Sequence, residues 1–348
     1  MLQATDLPND SVIPSVGRVY VEAGARKYPD TSRILEKLGD IPVQEIGHYK
    51  DVFNRPGQHF QVQKHSPALI LAVERETLLY DGKFRVASWG SQLPLYYNAP
   101  VRNCVYNCDY CFLQGMHTSG HLVVFVNIQD FFDAARDRAE HGPIFLSISY
   151  LTDLLAMEPL IPICERWIRF AEEQPNLTIE IRTKSDLFRV LRHMEAPENT
   201  VLSFSLSPDR IARRYERGCA PLHGRVLAAR EALRAGWRVR LCIDPMVRTE
   251  GWKTLYSRFI ADVFSRLPVD AIEEISFGVV RLAPDFLKRI HNMRHDSDML
   301  HYPFVTETGS DYGTVATYPE AARNEMKAAL EQELLRFVPP EKIHFVHG

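Results

Sequence analysis

Three cysteines lie close together in one short segment of the sequence. Cys104, Cys108 and Cys111 have the spacing C-x₃-C-x₂-C, and no fourth cysteine lies nearby. Three thiolates can ligate three irons of a cubane cluster and leave the fourth iron without a protein ligand. An iron left open in this way is a reaction site, as in catalytic metal centres that keep one coordination position free. The spacing therefore favours an open [4Fe-4S] cluster.

A zinc site is one alternative for these cysteines, and three unrelated buried thiols are another. Zinc takes four ligands, and His117 or His121 could supply the fourth. Ferredoxin-type clusters use four cysteines at other spacings. The open cluster needs no ligand beyond those that the segment provides, so it is the favoured interpretation.

Composition limits the class of protein. The 348 residues are 45% apolar and 24% charged, as in ordinary globular proteins, and are enough for one large or two modest domains. The net charge of −3 gives no global attraction to nucleic acid or anionic membrane, although a local basic groove stays possible. The first fifteen residues do not resemble a signal peptide, and no stretch is long and apolar enough to span a membrane. Six cysteines without a disulfide pattern favour the reducing cytoplasm.

Strands and helices are predicted to alternate from about residue 90. This pattern indicates an α/β fold with a parallel sheet, open or partly closed into a barrel. The predicted strands are Leu93–Tyr97, Ile144–Tyr150, Leu177–Thr183, Val201–Ser207, Arg238–Asp244 and Ile272–Val280. The predicted helices are 129–140, 157–173, 185–193, 208–217, 221–235 and 252–266. Before them we expect a strand at Arg18–Glu22, a helix at Thr31–Leu38, and a hairpin of 68–74 with 78–80.

Polar and apolar residues alternate along several of these strands. In 178–184, Val201–Ser207 and Arg238–Asp244, apolar residues alternate with residues that are mostly polar or charged; the apolar set is Ile179, Ile181, Leu202, Phe204, Leu206, Val239, Leu241 and Ile243. A packed eight-stranded barrel fills its interior with apolar layers, so a polar inner face predicts an incomplete, wider barrel that holds a charged ligand. The alternative is that the polar face meets water, as in many antiparallel sheets.

The cysteine segment resembles that of the radical S-adenosylmethionine (AdoMet) enzymes. Their C-x₃-C-x₂-C motif has an aromatic residue before the last cysteine, here Tyr110. The resemblance implies a partial (βα)₆ barrel of the TIM type, with AdoMet bound at the open iron. It also implies reductive cleavage of AdoMet to a 5′-deoxyadenosyl radical that abstracts a hydrogen atom, and an electron donor such as flavodoxin or ferredoxin.

Further segments resemble the spore photoproduct lyase family within that superfamily. The similarity runs from about residue 16 to the end and implies repair of a thymine-dimer photoproduct in DNA. The matching segments are Cys108–Gln114, 19–22 with 27–29, Ser66–Ala72, Thr183–Ser185, 215–225, Asp244–Met246 with Gly251–Trp252, and Asp311–Gly313 with Tyr318 and helix 319–337.

The resemblance implies roles for individual residues. Lys184 and Ser205 fall where the family contacts AdoMet, Thr152 replaces a serine that does likewise, and Tyr110 stands beside the cofactor. An ammonium such as that of Lys184 can pair with the methionyl carboxylate. A solvated lysine and a serine bonded to the backbone remain the structural alternatives.

Two positions depart from the family pattern. The family has a hydrogen-donating cysteine three residues before an aspartate; here Asp153 is preceded at that position by Tyr150. The tyrosine that follows the third cluster cysteine is replaced by Phe112. Tyr150 is therefore the predicted hydrogen donor, with Cys242 as the alternative. The changes leave open a radical reaction on another nucleic-acid or peptide substrate, and a non-catalytic metal- or DNA-binding protein is the alternative from a different class.

The predicted organisation has four parts. They are a flexible N-terminus (1–15), an N-terminal extension (16–90), the radical AdoMet barrel (91–293) and a C-terminal substrate-side segment (294–348). The expected partners are DNA and the electron donor, with no membrane. A phosphate-binding surface could be formed by the arginines of the helical stretches, Arg182, Arg189, Arg192, Arg210, Arg213, Arg214 and Arg217.

Overall fold

The computed structural model describes residues 15–82, 93–310 and 313–346, without the side chains of 309 and 310. The expected flexibility of residues 1–14, and the matching residues Asp311 and Tyr312, lie outside the described residues. The strands are β1 (Arg18–Glu22), β2 (Val43–Ile46), β3 (Ala68–Ala72), β4 (Tyr80–Asp81), β5 (Leu95–Tyr97), β6 (Val101–Arg102), β7 (Asn107–Cys108), β8 (Leu122–Phe125), β9 (Ile144–Ser147), β10 (Leu177–Thr183), β11 (Thr200–Ser205), β12 (Glu216–Arg217), β13 (Arg238–Met246), β14 (Ile272–Val279), β15 (Arg281–Leu282), β16 (Val305–Ser310), β17 (Gly313–Thr317) and β18 (Ile343–Phe345).

The helices between them match the predicted positions closely. Of the helix predicted at 157–173, only Ile163–Glu172 forms a continuous helix, because Pro159 and Pro162 interrupt the earlier part. The stretch 185–193 forms a 3₁₀ helix at Leu187–Leu191. The α-helices are α1 (Pro29–Leu38), α2 (Lys50–Phe53), α3 (Phe60–His65), α4 (Leu113–Met116), α5 (Ile128–Ala139), α6 (Leu154–Met157), α7 (Ile163–Glu172), α8 (Asp209–Tyr215), α9 (Leu222–Arg234), α10 (Trp252–Phe264), α11 (Pro284–Met293) and α12 (Glu320–Leu334).

The largest sheet carries the predicted parallel strands. Its order is β18-β14-β13-β11-β10-β9-β5-β4, and only the edge pair β4–β5 is antiparallel. Neighbours in space follow one another in sequence from β5 to β14, as expected for successive strand–helix units. Helices cover this sheet with apolar faces; α7, for example, buries Cys164, Trp167, Ile168 and Ala171 at helical spacing. The fold is α/β, with mixed but mostly parallel sheets.

A second sheet is built from the N-terminal part of the chain. Its order is β2-β1-β3-β8-β6, and β1, β2, β3 and β8 are parallel. The predicted hairpin of 68–74 with 78–80 is therefore wrong: β3 lies inside this sheet, and β4 pairs with β5 of the large sheet. Every residue of β3 is buried, and a continuous apolar run of this kind is typical of a central parallel strand.

Two small sheets lie beside the end of the large sheet. β7 pairs antiparallel with β12, which fixes the segment holding Cys108. β15, β17 and β16 form a three-stranded antiparallel sheet near the C-terminal part of the chain. Among the helices of the described ranges, none combines the length and apolarity that crossing a bilayer requires.

Candidate active site at the carboxyl ends of the parallel strands

A cavity of about 500 Å³ opens where the strands of the large sheet end. Residues of β9, β10, β11, β13 and β14 line it together with the cysteine loop. The structure brings together every residue that the sequence predicted for the site: Cys104, Cys108, Tyr110, Cys111, Tyr150, Thr152, Lys184 and Ser205.

The polar faces of the strands point into or beneath this cavity. Glu180 lines it and accepts hydrogen bonds from Ser147 (3.0 Å) and Ser203 (2.7 Å). Glu180 and Ser203 are almost fully buried, so this polar face does not meet bulk water. Arg281 also lines the cavity and makes a bidentate ion pair with Asp244, with both N–O distances 2.8 Å.

The cysteine loop is shaped by hydrogen bonds to its backbone. The side-chain amide of Gln114 donates to the carbonyls of Cys108 (2.8 Å), Cys111 (3.2 Å) and Asp109 (3.3 Å). At the start of the loop Asn103 has a left-handed backbone (φ 70°), which asparagine adopts more readily than most residues. The loop therefore presents its thiols from a preformed turn.

Arg294 ties this loop to the C-terminal part of the chain. Its guanidinium is buried and donates to the carboxylate of Asp109 (2.7 Å), the side-chain oxygen of Gln114 (2.5 Å) and the carbonyl of Asn107 (3.0 Å). Three contacts from one planar group hold the loop at three points. No spacing pattern in the sequence indicates Arg294, because 185 residues separate it from Asp109.

Lys64 places a cation beside the same loop. Its ammonium donates to the carbonyl of Cys104. Burial lowers the pKa of Lys64, while the three nearby cysteine thiols act in the opposite direction. No carboxylate of the described residues lies within ion-pair distance of it. A cation that is largely shielded from water and has no carboxylate partner is costly, so this environment suits an anionic group held by the cysteines.

The zinc alternative finds no ligand set in the described residues. No group of three or more histidine, cysteine or acidic side chains there is arranged around a single ion. His121 accepts a hydrogen bond from the backbone of Ala68 (3.0 Å), and burial lowers the pKa of His117 to about 4.

Cys219 is a fourth thiol beside this site. Its sulfur lies 3.5 Å from that of Cys108, although Cys219 is not one of the residues that line the cavity. Cys108 and Cys219 are far apart in the sequence, so the sequence does not indicate that they are close in space. The pairing of β7 with β12 brings them together. Cys242, the alternative hydrogen donor, is buried in β13 and does not line the cavity.

Tyr110 is held by a buried carboxylate, that of Glu216. The hydroxyl of Tyr110 donates to Glu216, which also accepts from Ser207 (2.8 Å) and pairs with Arg225 (2.6 Å). Burial alone would raise the pKa of Glu216, but the charges of Arg225 and Lys184 lower it below its usual value. Glu216 is therefore a fixed anion that orients the Tyr110 ring.

Asp153 connects the start of α6 to the end of β10, two parts of the cavity wall. Its carboxylate caps α6 through the N–H of Ala156 (3.1 Å) and accepts from the hydroxyl of Thr183 (2.8 Å) and the N–H of Lys184 (2.6 Å). The Lys184 ammonium then lies 5.7 Å from the centre of the Tyr110 ring. Asp153 thus joins the end of β10 to the turn that carries Tyr150 and Thr152.

Thr152 carries an unsatisfied hydroxyl in the wall of the cavity. Its Oγ1 is buried and has no hydrogen-bond partner among the described residues. Buried polar groups are almost always hydrogen-bonded, so this atom fits a polar ligand that fills the cavity. Ser205 also lines the cavity, and its carbonyl is held by Arg225 at 3.1 Å.

Tyr150 belongs to a stack of aromatic rings. Its ring centre lies 4.4 Å from that of Tyr97, which stacks on Tyr80 at 4.9 Å, and 6.0 Å from Phe112. Tyr150 is 38% exposed and lines the cavity, so its ring is held by stacking yet remains accessible. Neighbouring Tyr96 instead binds Arg138 with its hydroxyl at 2.6 Å.

The arginines considered for phosphate binding are mostly engaged with carboxylates. Arg192 pairs with Glu231 (2.6 Å), Arg214 with Asp298 (2.9 Å), and Arg217 with Asp296 (2.7 Å). Arg213 pairs with Asp209, and Arg182 lies 3.4 Å from Glu180 inside the cavity. These pairs leave less free positive charge on the helices than the sequence suggested.

Comparison with known proteins identifies the family. The family model described as spore photoproduct lyase matches residues 14–347. The spore photoproduct lyases of Bacillus subtilis (strain 168) and Geobacillus sp. (strain Y412MC61) are 25% and 22% identical over 273 and 271 residues, which are 76% of this chain and 77% of each relative.

Solved structures share the fold. A spore photoproduct lyase complexed with dinucleoside spore photoproduct is 18% identical, with a TM-score of 0.80 over 95% of this chain and 98% of that chain. A doubly substituted spore photoproduct lyase with bound AdoMet and dinucleoside spore photoproduct is 19% identical, with the same TM-score and coverage. The family predicted from the sequence is thereby confirmed: this chain is a member of the spore photoproduct lyase family.

Proposed function

We propose that this chain is a radical AdoMet enzyme that repairs a thymine-dimer photoproduct in DNA. The observation that carries the proposal is the meeting of three loop cysteines, an orphaned threonine hydroxyl, Lys184 and Tyr150 in one cavity. Membership of the spore photoproduct lyase family supports it, as do the dinucleoside spore photoproduct and AdoMet held by the solved relatives. The reducing cytoplasm is the compartment that suits such a site.

The proposed architecture is a partial (βα)₆ barrel around the cavity, spanning 91–293. The sequential order of β5, β9, β10, β11, β13 and β14 supports it, because a doubly wound sheet reverses its order at a switch point and this run does not. The sheet of the N-terminal extension (16–90) also contains β6 and β8, which come from the part of the chain assigned to the barrel. The C-terminal segment (294–348) supplies β16, β17 and α12.

Cys104, Cys108 and Cys111 would hold a [4Fe-4S] cluster. Gln114 and Arg294 fix their loop, and Lys64 offsets the negative charge of a thiolate-bound cluster. With AdoMet bound and an electron supplied by a donor such as flavodoxin or ferredoxin, the cluster and AdoMet would together supply a radical that can abstract hydrogen from carbon.

Thr152, Lys184, Ser205 and Tyr110 would hold AdoMet. The Thr152 hydroxyl would gain the hydrogen-bond partner that it lacks, and the Lys184 ammonium would pair with a carboxylate. Glu216 keeps the Tyr110 ring in place from behind. Asp153 fixes the backbone of Lys184, so the ammonium starts from a defined position.

Tyr150 would complete the reaction by giving its phenolic hydrogen atom to the product radical. The tyrosyl radical left on Tyr150 would then be reduced by one electron from the electron donor, with uptake of one proton from solvent. The stack with Tyr97 and Tyr80 restricts its ring, and its exposed portion faces the cavity. Apolar Val279, Val280 and Leu282 line the same space and limit the access of water to a reactive intermediate.

Anaerobic turnover of dinucleoside spore photoproduct tests the proposal. Reconstituted protein with AdoMet and a chemical reductant should convert it to two adjacent thymines, and C108A should not. A Y150F variant should still consume the lesion but release products of incomplete hydrogen transfer. Lesion that stays intact while AdoMet is cleaved would refute the proposed substrate.

A radical reaction on another nucleic-acid or peptide substrate is the second candidate. The observation that supports this candidate is the replacement of a thiol by Tyr150, with Phe112 beside it. Cleavage of AdoMet stimulated by a different substrate, with no effect of the lesion, would support it. A non-catalytic metal- or DNA-binding protein would cleave no AdoMet at all.

A further inference from the structure

A second cavity, of about 460 Å³, lies beside the first and is lined by residues of α11 and of the β16–β17 hairpin. The same two elements wall both cavities. On α11, Phe286 reaches the first cavity, whereas Lys288 and His291 line the second. On β17, Val315 lines the first and Ala316 the second, because successive side chains of a strand point to opposite faces.

The two cavities differ in charge. The lining of the first cavity carries both signs of charge, with the carboxylates of Asp153, Glu180 and Asp244 matched by the cations of Arg182, Lys184 and Arg281. The residues that line the second include Lys288 and His291 but no carboxylate. The nearest acidic side chains of the following segment are engaged elsewhere: Asp296 with Arg217 and Asp298 with Arg214. The rim of the second cavity therefore suits an anion.

The interior of the second cavity is aromatic. The Tyr302 ring lies 4.7 Å from that of Tyr318 and 6.2 Å from that of Phe304, and Tyr302 and Phe304 line the space. Asn292 adds an amide at the rim, and Thr306 adds a hydroxyl. Cationic side chains around an aromatic surface are the combination that holds single-stranded nucleic acid, with phosphate on the cations and the base on the rings.

We propose that the second cavity binds a nucleotide that flanks the lesion in the substrate strand. The proposal rests on the proposed function and names the part of the DNA that this neighbouring site takes. A lesion extruded from a duplex loses its stacking, and contacts to flanking phosphates fix the register of the strand. Lys288 and His291 receive a flanking phosphate, and Tyr302 packs against the flanking base.

A comparison of short and long substrates tests this assignment. Dinucleoside spore photoproduct reaches the first cavity only, whereas a fluorescein-labelled single-stranded 10-mer with a central lesion reaches both. In K288A/H291A, the Kd for the 10-mer measured by anisotropy should rise roughly tenfold, and the dependence of log Kd on log salt should become shallower by about 1 for the lost lysine. The KM for the dinucleoside should not change.

Two further variants sharpen the result. T306K adds a cation at the rim and should tighten binding of the 10-mer, while K27A removes an exposed lysine of the N-terminal extension and should leave it unchanged. An unchanged Kd in K288A/H291A, or an equal rise of KM for the dinucleoside, would overturn the assignment. If the wild type fails to repair the dinucleoside, the proposed function fails, yet the 10-mer still reports on the second cavity.

Discussion

Replacing Arg294 should release the cysteine loop from the rest of the fold. The Arg294 guanidinium and the Asp109 carboxylate are each 1% exposed and lie 2.7 Å apart. Removing one partner of a buried ion pair costs roughly 3–5 kcal/mol, because the other charge stays buried. Here Arg217 remains 3.1 Å from the same carboxylate, so we expect the lower end of that range, about 3 kcal/mol, for R294A.

The conservative variant separates charge from geometry. R294K keeps a cation near Asp109 but loses the planar fork that reaches Gln114 and Asn107, so we expect a loss of about 1.5 kcal/mol. Equilibrium unfolding in urea of the cluster-free protein measures both losses. Iron content after anaerobic reconstitution should fall in the same order, because a loosened loop no longer holds its thiols together.

A matched surface arginine is the control. Arg336 makes a 2.7 Å ion pair with Glu333 while 60% exposed, and R336A should change stability by at most about 1 kcal/mol. If R294A unfolds within about 1 kcal/mol of the wild type and binds iron normally, Arg294 does not anchor the loop and this reasoning is wrong.

Three further predictions concern single residues. Burial raises the pKa of Glu158 to about 7, so the folded protein holds this proton more tightly than the unfolded chain does. The resulting contribution to the free energy of unfolding is fully present below pH 4.5 and is lost as the pH rises through 7. The difference in unfolding free energy between E158Q and the wild type should therefore grow by about 3 kcal/mol from pH 4 to 8 in urea titrations. K64M should lower the cluster potential by roughly 60 mV in EPR-monitored titration, with K64R close to wild type. T152V should stabilise the ligand-free protein by about 1 kcal/mol and weaken AdoMet binding measured by calorimetry. If T152V instead lowers both the stability and the affinity for AdoMet, the role of Thr152 is purely structural.

The sequence predicted the large parallel sheet well because its signals are local. Alternation in Leu177–Thr183 and Arg238–Met246, with amphipathic helices between, marks each strand and its polar face. The cysteine spacing marks the loop, and strand order then places the loop and the strand ends at one edge. Every predicted site residue consequently lines the same cavity.

Long-range pairing explains what was missed. The apolar run Ala68–Ala72 gives no sign of its partners, so its pattern predicts a hairpin, whereas in the fold it pairs with β1 and β8. Arg294, Lys64 and Cys219 approach the loop from distant segments, and no spacing rule connects them to it. Only the assembled fold shows which buried charges and thiols face one another.

The most direct test is the EPR spectrum of anaerobically reconstituted, reduced protein before and after addition of AdoMet. The account predicts a [4Fe-4S] signal that changes when AdoMet is added, and its loss in a C104A/C108A/C111A variant. A spectrum that AdoMet leaves unchanged, or a protein that retains zinc instead of iron at these cysteines, would contradict it.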